Sequence, residues 1–196
     1  MKLKTNFQMA AACCLLTASS LAVGQGSGAA QSATPADAVN AQLSLIEGEM
    51  MGAVKAMPAD KYSFAPSAAI FVPGQKTEFP SGIRTFAQQA THVAQANYFF
   101  FSTVSGMKPD ADVGAIAKLT QKDEIVAALA ASFAFGHKAI STLTTANVFE
   151  PLKSPEPGLQ TRGTLSTFAV AHAFDHYGQM VEYLRMNAIV PPASAK

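Results

Sequence analysis

The chain has 196 residues, of which 49% are hydrophobic and 14% are charged, and its formal net charge is +1. A chain this apolar and this close to neutral does not have the composition of a disordered protein. It also lacks the strong positive charge with which most nucleic-acid-binding proteins hold phosphates, so we expect no nucleic-acid partner. Two cysteines and four histidines are the candidate metal ligands and nucleophiles, and their positions decide which chemistry remains open.

The first 24 residues have the features of a secretory signal peptide. Two lysines form a positive start, residues 9–23 are small or apolar without charge, and a small-x-small cleavage pattern ends at Gly24. Residues 25–33 are rich in Gly, Ser and Gln and predict a flexible tether. The alternatives are an apolar N-terminal helix of the fold and a lipoprotein signal acylated at Cys13.

Cleavage after Gly24 would leave 172 residues, which is enough for one well-buried core. It would remove Cys13 and Cys14, and with them any disulfide, thiolate metal ligand or cysteine nucleophile. It would also remove Lys2 and Lys4, which changes the net charge to −1. We therefore expect an exported protein, periplasmic or secreted, with no stable membrane insertion after signal cleavage.

Capping residues and prolines predict four long helices in the remaining chain. Their predicted limits are Thr34 to Met57, Ser81 to Gly106, Thr120 to Ala146 and Thr164 to Asn187. Each helix would be roughly 33–39 Å long at 1.5 Å per residue. Four rods of matched length predict an all-α fold, a four-helix bundle.

The connections between the predicted helices are long. Residues 57–80 contain four prolines and residues 148–163 contain three, so both segments predict crossover loops. The first is long enough to form a lid or rim over a site. A short extended piece could form at residues 69–72. The bundle is predicted to span residues 34–192 and to be followed by a tail at residues 193–196.

The last predicted helix carries two histidines at helical spacing. His172 and His176 are four residues apart, so both imidazoles lie on one helix face and could converge on one metal ion. A chance pair on a solvated face has the same spacing. His92 and His137 stand singly on other predicted helices, where a histidine is more often a hydrogen-bonded structural residue. Gly178 costs about 1 kcal/mol relative to Ala inside a helix, and the close approach of a neighbour or ligand would explain it.

If three histidines met, their neutral imidazoles would suit Zn, Ni, Fe or Cu and would leave a position open for water or substrate. A metal-bound water with a lowered pKa could then act as the nucleophile, without any catalytic side chain being evident. Metal-binding histidines usually donate from their second ring nitrogen to an acceptor. The candidate acceptors by helical position are Gln88, Gln95, Gln179 and, more weakly, Asp175.

Three segments carry a resemblance to a known family. They are MPADKYSFAP at residues 57–66, RTF leading to THVA within residues 84–94, and AHAFDHYGQ at residues 171–179. Together they resemble the DinB family of small metal-binding four-helix proteins, and the likeness extends over residues 34–192. The His-x-x-x-His-x-Gly-Gln element is its most specific part. The resemblance implies a bundle whose helices run up, down, down and up.

The resemblance also implies one divalent metal ion, Zn, Ni or Fe, held by His92, His172 and His176, whereas His137 matches no ligand position. Related proteins include thiol-dependent transferases and proteins described as metal-dependent hydrolases. Reduced small thiols are scarce outside the cytosol, which favours hydrolysis of a small-molecule substrate in an exported protein.

The alternatives are a thiol-dependent S-transferase, a non-catalytic metal-binding or stress-associated protein, and a purely structural bundle without a metal. A homodimer formed through the apolar bundle faces is also compatible with the sequence.

Overall fold

The computed structural model describes residues 33–70, 73–75, 81–154 and 156–195. The predicted signal peptide, and the predicted tether up to Ser32, lie outside these residues. The helices of the described chain are α1 (Pro35–Ala56), α2 (Phe86–Ser105), α3 (Val113–Ile116), α4 (Lys122–Ile140) and α5 (Arg162–Met186). Over the same ranges there is no β-strand, only one isolated bridge, so the all-α prediction is confirmed. No helix in them has both the length and the apolar character needed to cross a bilayer.

Helix α1 begins and ends where the sequence predicts, because its signals are local. The Thr34 hydroxyl accepts a hydrogen bond from the Asp37 amide, and the Asp37 carboxylate accepts one from the Thr34 amide. This reciprocal pair satisfies two backbone donors at the helix start. At the other end, Met57 turns to an extended conformation before Pro58.

Two predicted helix starts were wrong, although each true cap lies only three or four residues away. Helix α2 is capped by Thr85 rather than by Ser81, and α5 by Thr161 rather than by Thr164. Gly82 has a φ of 86°, which interrupts any helix that begins at Ser81. Thr164 is the residue that completes the capping box of Thr161 from the third helical position.

The predicted third helix was too long at both ends, and the short helix α3 was not predicted. Helix α4 starts at Lys122 and ends at Ile140 instead of continuing to Ala146. Beyond Ile140, the Asn147 side chain bonds the backbone of Thr142 and Thr144, which offers the chain an alternative to the helix ladder.

A further departure lies in the first crossover. Residues 68–70 form a 3-10 turn where an extended piece was expected at residues 69–72, and residues 71–72 lie outside the described chain.

Contacts between helix ends give the directions of the long helices. The Lys122 ammonium, at the start of α4, donates to the Met57 carbonyl at the end of α1 over 2.8 Å. The Arg162 guanidinium, at the start of α5, donates to the Val104 carbonyl near the end of α2 over 2.6 Å. These contacts make α1 antiparallel to α4 and α2 antiparallel to α5, which an up-down-down-up order requires.

Helix α2 is the most enclosed element of the bundle. Buried positions account for 12 of its 20 residues, and it packs against both α4 and α5. The buried Asn97 amide donates to the Ser132 hydroxyl, which in turn donates to the Leu129 carbonyl, so this polar pair in the core is satisfied. The buried side chains of α2 therefore have well-defined positions.

Close packing of α2 and α4 depends on Gly136. A Cβ atom built at this glycine would lie 2.7 Å from the ring of Phe101 and 3.2 Å from the Leu43 side chain. Gly178 on α5 is different, because nothing lies within 4 Å of the Cβ it lacks. The suggestion that Gly178 marks the close approach of a neighbour is therefore wrong for the described residues.

We expect Gly136→Ala to lower the free energy of unfolding. The overpacking cost of about 1–3 kcal/mol exceeds the gain in helix propensity of about 1 kcal/mol. The matched control, Gly178→Ala, should raise stability by up to about 1 kcal/mol because its added methyl group meets nothing. Urea unfolding of both variants measures the two changes, and a stabilising Gly136→Ala would contradict the packing described here.

Candidate metal centre

Three histidines from two antiparallel helices meet at one place. His92 lies on the second turn of α2, and His172 and His176 lie on successive turns of α5. The two helices are held in register at one end of the pair by the Tyr183 hydroxyl, which donates to the Arg84 carbonyl over 3.0 Å. The contact between the start of α5 and the end of α2 holds the other end, so the histidines face each other between two anchors.

The three imidazoles converge through their Nε2 atoms. His172 Nε2 lies 3.3 Å from His92 Nε2 and 3.2 Å from His176 Nε2, and all three ligand atoms lie within 4.8 Å of one another. Two imidazole nitrogens bound tetrahedrally to zinc at 2.0–2.1 Å would be about 3.3 Å apart. The two contacts of His172 therefore have the spacing of ligands to a tetrahedral divalent ion.

The proton count at this cluster also favours a cation. A neutral imidazole carries one ring proton, so His172 Nε2 can donate to one neighbour at most. With either one proton or one lone pair, His172 Nε2 can form a hydrogen bond to only one of its two neighbours, and the other contact is left unsatisfied. A cation among the three nitrogens satisfies all of the lone pairs at once, and the donor set of three neutral nitrogens without a thiolate suits a borderline metal such as zinc.

Burial keeps these imidazoles neutral. It lowers the pKa of His92 to about 4, and the charges of Arg84 and His172 act in the same direction. Burial likewise lowers the pKa of His176 to about 4, assisted by His172 and His92. The pKa of His172 is also lowered, chiefly by burial. At neutral pH the three rings therefore have lone pairs available for a metal.

A chain of hydrogen bonds orients His176. The Asp175 carboxylate accepts from the Gln179 amide over 3.0 Å, and the Gln179 oxygen accepts from the Gln89 amide over 2.8 Å. The Gln89 oxygen then faces His176 Nδ1 over 2.7 Å. Each link leads inward from an exposed carboxylate to a histidine that is only 6% exposed.

The carboxylate determines the direction of this chain. Because ionised Asp175 can only accept, Gln179 must donate to it, and its oxygen must then accept from Gln89. The Gln89 oxygen is consequently left to accept from His176 Nδ1. The proton of His176 therefore sits on Nδ1, and the lone pair of Nε2 points at the cluster, which is the tautomer that a metal requires.

His172 is held by aromatic packing. Its ring lies 5.4 Å from that of Phe100 in an edge-to-face arrangement and 6.2 Å from that of Phe168. Its Nδ1 atom is buried and has no hydrogen-bond partner within the described ranges. The position of this ligand atom thus depends on van der Waals contact with Phe100 and Phe168 rather than on an acceptor.

Two cavities open beside His92. One, which we call the polar cavity, has a volume of about 430 Å³. The other, the aromatic cavity, has a volume of about 460 Å³. The polar cavity is lined by Arg84, Gln88, Thr91, His92 and Gln95, among others. The aromatic cavity is lined by His92, Gln95, Phe99, Phe100, Glu156, Phe168 and His172, among others. Both volumes lie within the range of about 300–1,000 Å³ that is usual for small-molecule sites.

The four predicted acceptors have different roles in the structure. Gln179 and Asp175 belong to the chain that reaches His176, although neither touches its ring. Gln88 instead completes the capping box of α2, where its oxygen accepts from the Thr85 amide. Gln95 donates to the Val113 carbonyl over 2.9 Å and so ties α3 to α2.

His137 lies apart from the cluster, as its lack of a matching ligand position implied. Its Nδ1 contacts the Asn40 side-chain oxygen and its Nε2 contacts the Glu47 carboxylate, both over 2.9 Å. Both ring nitrogens are used, so this histidine links α4 to α1 and has no lone pair free for a metal.

Two residues of the site were not singled out from the sequence. Gln89 lies between Phe86 and Val93 on the apolar stripe of α2 and is only 2% exposed. A polar residue on a buried stripe needs a polar partner, and this signal could have identified it. Glu156 comes from the crossover before α5 and reaches the aromatic cavity by tertiary folding alone, so no local pattern could have revealed it.

We expect Gln89→Leu to weaken metal binding by about 10- to 100-fold, because it leaves His176 Nδ1 without its acceptor. The matched control is Gln88→Leu, the same substitution one position earlier at a side chain that bonds only the helix cap. The metal affinity of this variant should stay within about twofold of that of the unmodified chain. Competition titration against a chromophoric zinc chelator gives both affinities, and equal losses in the two variants would contradict the role of Gln89.

We expect the metal-free protein to lose stability as the pH falls from about 6.5 to about 4. In the unfolded chain these histidines take up protons near 6.5, whereas in the folded protein His92 and His176 do so near 4. The unfolded state therefore binds more protons between these values, and the free energy of unfolding decreases by on the order of 1–2 kcal/mol. Urea unfolding of chelator-treated protein at pH 7.5 and 5.0 measures this. A double variant, His92→Gln with His176→Gln, should depend less on pH, and an unchanged dependence would be the contrary result.

Comparison with known protein families assigns the chain to a superfamily. The family model described as the DinB superfamily matches residues 42–180, a range that contains all three converging histidines and Gln89. No curated protein sequence matches the chain. Because the matched range covers more than half of the chain's 196 residues, the protein belongs to the DinB superfamily.

Proposed function

We propose that this protein is an exported hydrolase that holds one divalent metal ion, Zn, Ni or Fe, through His92, His172 and His176. The observation that carries the proposal is the convergence of three Nε2 atoms beside two cavities, with His172 Nε2 3.2–3.3 Å from each of the other two. Export rests on the signal-like composition of the first 24 residues. The substrate is a small molecule, because the cavities are too small for a macromolecule to enter.

A metal ion bound by three histidines would polarise a substrate oxygen and lower the pKa of a water molecule, which is the chemistry of catalytic zinc sites. The chain contributes by holding the three rings neutral and by fixing the tautomer of His176 through Gln89. Packing against Phe100 and Phe168 fixes the orientation of the His172 ring.

Glu156 is the residue best placed to accept a proton. Its carboxylate lies on the wall of the aromatic cavity together with His92 and His172, and its charge acts to raise the pKa of His172. Within the described chain, no ion pair or hydrogen bond engages this carboxylate. Hydrolysis of an ester or amide consumes one water: its oxygen bonds to the carbonyl carbon, and the bond to the leaving oxygen or nitrogen breaks. Glu156 would take a proton from the water and return it to the leaving group.

Export of the protein, as proposed above, favours hydrolysis over thiol transfer. A thiol-dependent transferase needs a reduced small thiol, which an oxidising compartment does not supply. A non-catalytic metal-binding protein would need neither the open cavities nor a carboxylate beside the metal ligands. A homodimer through the exposed bundle faces is compatible with either function.

The test compares the unmodified chain, without a histidine tag, with His172→Ala and Glu156→Gln. We expect one metal ion per chain in the unmodified protein and in Glu156→Gln, and much less in His172→Ala, because one of three ligands is lost. Hydrolysis of a panel of esters, amides and phosphoesters should fall by about 10²- to 10⁴-fold in Glu156→Gln. Elemental analysis and rate measurements give these quantities.

The outcomes separate the alternatives. An unmodified protein that contains no metal and is no more stable than His172→Ala would indicate a purely structural bundle. A stoichiometric metal ion with no turnover across the panel, with or without added thiols, would indicate a binding protein. Turnover only with an added thiol would indicate a transferase.

A further inference from the structure

The two cavities beside His92 differ in chemistry, and the difference constrains the ligand. The polar cavity contains the Arg84 side chain and two glutamines, whereas three phenylalanine rings line the aromatic cavity. His92 and Gln95 line both cavities, so the two spaces adjoin at the face of α2 that carries the metal ligand. A ligand bound at the metal centre can therefore extend into both.

The aromatic cavity is built to receive an apolar group. The rings of Phe100 and Phe168 pack edge to face at a centroid distance of 5.3 Å, and the ring of Phe99 lies 5.6 Å from that of Phe100. Phe99 is 50% exposed in the described structure. A large aromatic side chain held half in water gains free energy when an apolar ligand covers it.

Charge is distributed unevenly around the cluster. Arg84, on the side of the polar cavity, is exposed and has no ion-pair partner among the described residues. Glu156 lies on the side of the aromatic cavity. An anionic group is attracted to the Arg84 side and repelled from the Glu156 side.

Combining these observations, and building on the proposed hydrolase function, we infer that the substrate is an amphipathic amide or ester. It has an aromatic or branched apolar acyl group that lies in the aromatic cavity and a carboxylate that pairs with Arg84. The hydrolysable bond lies between them, at His92. Arg84 and Phe99 are thus specificity-determining residues, and the apolar group and the carboxylate cannot exchange places because of Glu156.

The probes are three small amides that differ in one feature each. Hippurate has a phenyl ring, an amide bond and a carboxylate. Benzoylglycinamide has the ring without the charge, and N-acetylglycine has the charge without the ring. We expect hippurate to bind about five- to tenfold more tightly than either of the others. Isothermal titration and ligand-observed NMR measure binding to the purified chain in metal-free and zinc-loaded forms.

Variants assign each preference to its residue. Arg84→Gln should abolish the preference for hippurate over benzoylglycinamide, and Phe99→Ala should reduce the preference for hippurate over N-acetylglycine. The matched controls are Arg185→Gln, an exposed arginine paired with Glu182 on α5, and Phe149→Ala, a phenylalanine that is 80% exposed outside both cavities. Both controls should keep both preferences.

The results distinguish this inference from the proposed function. Weak binding of all three probes, equal binding of the three, or a charge preference that survives Arg84→Gln would overturn the inference even if the protein binds metal and hydrolyses other substrates. Selective hippurate binding through Arg84 and Phe99, without a metal or turnover, would support the ligand class and reject the hydrolase.

Discussion

The candidate metal centre depends on keeping three imidazole nitrogens unprotonated while His172 Nε2 lies 3.3 Å from His92 Nε2 and 3.2 Å from His176 Nε2. Like lone pairs at this distance repel, and protonated rings would repel more strongly. Burial in the bundle excludes the protonated forms, since desolvation disfavours a charged imidazole. The antiparallel contact of α2 and α5 then brings the rings together, His92 from one helix and His172 and His176 from the other. The chain belongs to the DinB superfamily, and the matched range contains all three histidines.

The fourth histidine shows what a structural role looks like in the same protein. His137 uses both ring nitrogens on Asn40 and Glu47, and it joins two helices without a free lone pair. The converging histidines use their Nδ1 and Nε2 atoms differently. His176 Nδ1 donates a hydrogen bond to the Gln89 side-chain oxygen, and its Nε2 faces the cluster. All four histidines lie on helices and none is fully exposed, so neither secondary structure nor burial separates the two roles. They differ in which ring nitrogens form hydrogen bonds to other side chains.

The residues around the cluster join the three converging histidines to the adjoining cavities. On one side, the exposed Gln179 and the buried Gln89 link the Asp175 carboxylate to the ring of His176, and the carboxylate sets the direction of their hydrogen bonds. On the other side, aromatic rings hold His172 and also form the wall of a cavity. Phe100 and Phe168 therefore both position His172 and shape the space beside it, so substitutions at either residue would change both together.

The sequence alone determined the local features. The capping box at Thr34, the stop before Pro58 and the i, i+4 spacing of His172 and His176 depend on neighbours along the chain, and each was predictable. The joining of His92 to that pair came from resemblance to a family, because α2 and α5 are 80 residues apart at the site.

The apolar stripe of α2 marks Gln89 as a buried polar residue that needs a partner. Only the tertiary structure shows that this partner is His176, since the contact depends on the rotation of α2 against α5. The arrival of Glu156 from a crossover loop was likewise decided by the path of the chain in space. Sequence periodicity specifies a helix face to within a residue or so, whereas a hydrogen bond of 2.7 Å requires the rotation of one helix against the other to be known.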